Sequence, residues 1–137
     1  MDGRNFSLVV VTPHRKVFEG DVHSIKAPGT DGDFEVLVGH VPMLTSLRPG
    51  ILTVSAAAGR SSYSISGGFV EIMRRKASVL ADSIERSEDI DLDRARQAET
   101  RAQQRLESGD SNVDAARAQA ALDRAQNRIR TAQITTR

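Results

Sequence analysis

The most concentrated chemistry in this chain is cationic and lies in its last third. Asp91, Arg94 and Arg101 recur at steps of three and seven, which nearly superpose on one face of a helix. Arg117, Arg124 and Arg128 form a similar stripe further on, and Glu85 lies shortly before both sets. A guanidinium presents a planar fork that binds phosphate bidentately, a geometry that a lysine ammonium lacks. From residue 87 onward there is no lysine at all. Spacing alone leaves two readings open. One is a phosphate site, and the commoner one is a solvated face laced by ion pairs at i, i+3 and i+4.

Other chemistries find little support. His14, His23 and His40 fall on separate segments without metal-ligand spacing, and the chain has no cysteine. Gly29-Thr30-Asp31-Gly32-Asp33 superficially resembles a calcium loop but lacks the later ligands and the closing glutamate, so it reads as a surface turn. There is no nucleophile elbow, phosphate loop or dinucleotide fingerprint. No catalytic residue, metal or required cofactor is therefore expected. With 19 basic and 18 acidic residues the net charge is +1, which gives no reason to expect a nucleic-acid or anionic-membrane binder. The apolar run near the N-terminus is too short for a signal peptide or a membrane span, so any membrane association should be indirect.

Two physical regimes must position these groups. All four prolines, all four phenylalanines, the tyrosine and every lysine precede residue 77. From Ser87 onward come ten alanines, nine arginines and nine acidic residues, with no aromatic and no proline. The boundary falls near Arg86-Ser87, giving expected domains of 1–86 and 87–137.

The first regime reads as eight to ten short strands separated by turn residues. Residues 6–12, 21–27, 34–38, 44–47, 51–55, 62–66, 69–73 and 77–81 are the clearest, and Val17-Phe18 adds a shorter candidate. Pro28-Gly29, Asp31-Gly32, Pro49-Gly50 and Arg74-Arg75-Lys76 read as turns. No stretch has room for a crossover helix, so an antiparallel sandwich or barrel is expected. Residues 29–50 stand out, because His40-Val41-Pro42-Met43-Leu44 puts apolar groups where proline bars a central strand. Such a loop asks to be covered by another protein.

The second regime reads as two helices. Ser87-Glu88-Asp89 offers an N-cap and acidic groups at a positive dipole end. Leu92, Ala95, Ala102 and Leu106 make one stripe, and Ala115, Ala118, Leu122, Ala125, Ile129 and Ala132 make another. The break at 108–112, with Gly109 suited to C′, is short enough to require an antiparallel return. An alanine seam buries little area, so this hairpin should be marginal alone and mobile.

Val11-Thr12-Pro13, Gly39-His40-Val41-Pro42-Met43-Leu44, the run SGGFVEI at 66–72 and the run EDIDLDRA at 88–95 together carry a resemblance that spans the chain. The sequence resembles the epsilon subunits of bacterial F-type ATP synthase. The resemblance implies a ten-stranded antiparallel β-sandwich followed by a two-helix hairpin, in a non-catalytic central-stalk subunit. It implies partners: the gamma subunit at His40, Pro42, Met43 and Leu44, the c-subunit ring at Asp33, and the alpha and beta subunits when the hairpin extends to inhibit ATP hydrolysis. It implies peripheral attachment, through the complex, at the cytoplasmic face of the bacterial inner membrane. Regulatory ATP is the one ligand it implies, through the motif matched by Ile90, Asp91, Arg94 and Ala95, with Glu85, Arg101, Arg124 and Arg128 at further contacting positions. Two departures stand out: Val38 where proline is common, and Glu35 where glycine is usual. The alternative from another class is a free-standing nucleotide- or phosphate-binding module built on the hairpin arginines.

Overall fold

The computed structural model describes residues 4–134. It divides into two compact units that meet at Arg86-Ser87. The first unit contains ten strands: β1 (Phe6–Val11), β2 (Lys16–Val22), β3 (Ser24–Gly29), β4 (Gly32–Leu37), β5 (Met43–Leu47), β6 (Gly50–Ala56), β7 (Gly59–Ile65), β8 (Gly68–Met73), β9 (Lys76–Ala81) and β10 (Ile84–Arg86). They join in the order β10-β7-β6-β3-β5-β8-β9-β1-β2, with β4 added to β3. β3 and β5 touch through the single pair Gly29–Leu47, so the sheet turns a corner there and curls over itself.

Period-two alternation builds the core. In β8, Val70 and Ile72 are buried while Phe69, Glu71 and Met73 are exposed; β9 buries Ala77, Val79 and Ala81. Leu8, Val10, Ile25, Leu52, Val54, Ile65, Val70 and Val79 from both halves meet in one cluster. The core is aliphatic, with Tyr63 and Phe6 as its buried aromatics.

Three local expectations are corrected. Residues 21–27 are not one strand: the chain changes partners at His23, with β2 on β1 and β3 on β4 and β6. This is why the alternation there is imperfect. Pro28-Gly29 does not turn but ends β3; the two-residue turn is Thr30-Asp31, closed by the pairing of Gly29 with Gly32. Finally, β1 and β9 pair parallel, whereas the other pairings are antiparallel. Sequence separation hides this pairing, since the two strands lie at opposite ends of the unit.

The departures are absorbed locally. Glu35 sits within β4 opposite Lys26, a favourable cross-strand charge pair. Val38 occupies the second position of a turn closed by the His40 N–H donating to the Leu37 carbonyl at 3.1 Å, with Gly39 at φ 83°. This is the type II pattern, in which proline is common at the second position and glycine is required at the third.

In the second unit a single 3-10 turn, Ser87–Asp89, precedes α1 (Leu92–Glu107), and α2 (Ala115–Ile134) packs along it. Gly109 at φ 64° follows the Ser108 cap, as expected of a helix end. The helix start differs from expectation. Ser87-Glu88-Asp89 does not cap α1; Asp91 does, accepting the Arg94 N–H at 3.1 Å. Ala95 and Ala102 on α1, and Ala118, Ala125 and Ala132 on α2, are buried.

Candidate functional site

Two sets of residues compete for function, and they lie in different units. On the sandwich, the cross-strand register sets Phe69 of β8 beside Leu80 of β9, and Leu80 beside Val11 of β1. Leu44 follows on β5, opposite Glu71. Leu44 is 67% exposed, Phe69 53% and Leu80 46%, and Leu37, Val41 and Met73 are also exposed apolar groups. An apolar face of this extent on a water-facing sheet marks a surface built to be covered.

The structure sorts the loop residues expected to meet a partner. Leu44 and Pro42 are exposed, while Met43 is half-buried, paired with Ile72 and packed against the core. His40 is half-buried, and its Nδ1–H donates to the Val41 carbonyl oxygen at 2.8 Å, which rigidifies the loop. Phe69 and Leu80 are the members that motif reading missed. Their signal was present: runs apolar at both phases, such as Phe69-Val70 and Val79-Leu80, mark strands covered on both faces.

Asp33 lies near the other end of the strands, exposed, and its carboxylate accepts a hydrogen bond from Arg48 Nη2. That edge therefore presents a paired carboxylate beside a guanidinium. A second surface pair, Lys16–Glu19 at 2.8 Å, keeps the Glu19 carboxyl below its usual range through the Lys16 hydrogen bond and charge, with a smaller contribution from Lys76. Among the described residues no group of three or more His, Cys, Asp or Glu side chains is placed to hold a metal, and no helix is long and apolar enough to cross a membrane.

In the hairpin, the Ile-Asp-x-x-Arg-Ala motif has a structural reading. Ile90 is buried just before the cap, Asp91 caps, Arg94 is the third helical residue and Ala95 the buried fourth. The same plan opens α2, where Val113 precedes Asp114, Asp114 accepts the Arg117 N–H at 3.0 Å and Ala118 is buried. An apolar residue before the cap and another at the fourth helical position form a hydrophobic staple. Ile90, Asp91 and Ala95 thus start a helix whatever else they do, and only the exposed Arg94 guanidinium is left without a structural task in the motif.

Arg101 and Arg124 are exposed, Arg128 is half-buried on α2, and Glu85 is half-buried on β10 opposite Ser64. Two open depressions of about 380 and 240 Å³ flank α1, and Arg101 lines both. Capping can be separated from ligand contact. Asp91→Ala should speed amide exchange through the first turn of α1 and cost about 1 kcal/mol of helix stability, while Asp91→Asn, which caps equally well, should not.

Comparison with known proteins identifies the class to which this two-unit architecture belongs. The family described as "ATP synthase, Delta/Epsilon chain, beta-sandwich domain" matches residues 5–87, and its "long alpha-helix domain" matches residues 88–133. The ATP synthase epsilon chain of Nitratidesulfovibrio vulgaris is 46% identical over 127 residues, covering 93% of this chain and 95% of that one. That of Desulforamulus reducens is 41% identical over 126 residues, covering 92% and 96%. A chain in the structure of the Euglena gracilis mitochondrial ATP synthase, OSCP/F1/c-ring, superposes with a TM-score of 0.81 at 25% identity, over 90% of this chain and 78% of that one. The chain belongs to the ATP synthase delta/epsilon family, and within it to the epsilon chains, which are non-catalytic subunits.

Proposed function

We propose that the chain is a central-stalk subunit of a proton-translocating F-type ATP synthase, turning with the rotor and coupling c-ring rotation to the catalytic head through gamma. The observation that carries this reading is the exposed apolar face formed by Leu44, Phe69 and Leu80. A free-standing phosphate-binding module has no use for such a face, and for a permanent subunit it is a seat. Gamma covers this face and the Gly39–Leu44 loop. The Asp33–Arg48 edge, near the opposite end of the strands, meets the c ring. The subunit is then peripheral at the cytoplasmic face of the bacterial plasma membrane, held there by the complex. Co-purification of the full chain with its gamma subunit tests the reading.

The hairpin is the regulatory part of the proposal. It inhibits hydrolysis when extended toward the alpha and beta subunits, and ATP held by Arg94, Arg101, Arg124 and Arg128, with Asp91 and Glu85 alongside, favours the folded state. ATP acts only through its differential affinity for the two states, so the arginines must contact it in one and not the other. Calorimetric titration of the chain with ATP should show saturable binding, weakened about tenfold or more by Arg94→Ala and by Arg124→Ala, as expected for lost charge-assisted hydrogen bonds. No heat at millimolar ATP would leave the arginines as a solvated face.

A further inference from the structure

The end of the sandwich that carries the Gly39–Leu44 loop also holds a cleft of about 540 Å³. Its floor includes the core residues Phe6, Val36 and Ile72; one wall is the loop from Val38 to Pro42, and the other is the run Arg74, Arg75 and Lys76. An apolar floor under a basic wall selects an occupant with an apolar group next to negative charge. The pairing of Met73 with Lys76 leaves Arg74 and Arg75 as a two-residue turn, with both side chains exposed. Arg75 has φ 60° and is the one non-glycine residue with positive φ among those described. Glycine or asparagine would hold that turn at lower cost, so the arginine at the tip carries a backbone penalty. Arg74, Arg75 and Lys76 together make this wall cationic.

Position decides what kind of molecule fits. Met43 pairs with Ile72 at this end, whereas Gly29, Leu47 and Gly68 meet at the other, near the Asp33–Arg48 pair. The cleft also runs into the exposed Leu37, Val41 and Met73, and so into the apolar face described above. A surface continuous with a protein-sized face fits a protein segment better than a small amphiphile.

We propose that this cleft seats an apolar side chain from an acidic segment of the subunit that covers the apolar face, with the flanking carboxylates held by Arg74 and Arg75. The assignment rests on the reading that this end faces gamma, and it adds the chemistry that gamma must present there. The test measures association of the full chain with immobilised gamma at low and high salt, for wild type, Arg74→Glu and Arg75→Asn. Asparagine tolerates positive φ, so the second variant keeps the turn while removing the charge. The expected result is an association rate about tenfold slower at low salt for Arg74→Glu and severalfold slower for Arg75→Asn. The difference should vanish in about 0.5 M salt, where charge steering is screened. Wild-type association rates in both variants would overturn the assignment while leaving the gamma reading intact. No binding by the wild-type chain would instead sink the gamma reading itself. Saturable binding of laurate that is lost in both variants, with gamma association unchanged, would also overturn it and reassign the cleft to a small anionic amphiphile.

Discussion

Replacing Leu44 and Phe69 together with aspartate should leave the chain folded and remove its binding to gamma. Both side chains are more than half exposed, so neither substitution opens a cavity or buries a charge in the free subunit. Aspartate is a poor strand former and Leu44 faces Glu71, so each substitution should cost the free subunit about 1 kcal/mol, a small part of its total stability. On the proposed reading the same positions lie beneath gamma, where a carboxylate loses its water without gaining a counter-charge. That costs several kcal/mol per group, and each 1.4 kcal/mol is about tenfold in affinity. The pair should therefore weaken binding by at least about a thousandfold, enough to abolish co-purification at micromolar concentrations. Glu71→Gln, on the same face opposite Leu44, is the control and should bind normally. Retained binding of the double aspartate variant would remove the observation on which the functional proposal stands.

Gly68→Ala should have the largest effect on the sandwich itself. Gly68 opens β8 and pairs with Leu47 on one side and Ala81 on the other, so it lies where the curled sheet is continuous across three strands. Its φ of 143° belongs to a region that side chains rarely enter, and a Cβ there would lie 2.0 Å from the Leu80 carbonyl oxygen. Relief requires moving backbone, not rotating a side chain. Dihedral strain alone costs about 1–3 kcal/mol, and displacing β9 from β8 adds to it, for a loss of about 4 kcal/mol or more. Against a total domain stability of about 5–15 kcal/mol this leaves a partly unfolded population. Gly59→Ala is the matched control: its φ is 129°, but nothing lies within 4 Å of the added carbon, so only the dihedral cost applies. Urea unfolding followed by far-UV circular dichroism should separate the two midpoints clearly. Equal midpoints would show that the close approach at Gly68 relaxes without cost.

Much of this is legible in the sequence. The composition change at Arg86-Ser87 coincides with the division between the two units because aliphatic strand formers and alanine-rich helix formers bury different areas and cannot share one layer. The spacing of Ile90, Asp91, Arg94 and Ala95 encodes a helix start, and the same spacing at 113–118 makes that visible. Ser87, Asp89 and Asp91 are all chemically able to cap, so the sequence alone does not separate Ser87 from Asp91. Only the backbone path decides which one meets a free N–H.

What the sequence determined by itself is local: strand periodicity, turn chemistry, the alanine stripes and the arginine spacing all act through neighbours a few residues apart. What the tertiary structure decided is non-local. It set β1 parallel to β9, split residues 21–27 between two partners, turned Met43 inward, and brought Leu44, Phe69 and Leu80 onto one face. It also placed the Arg74-Arg75 turn across a cleft from the Val38–Pro42 loop. The reason is physical. A strand of period two offers two faces, and which of them meets water is chosen by the neighbour that pairs with it, which can lie anywhere in the chain.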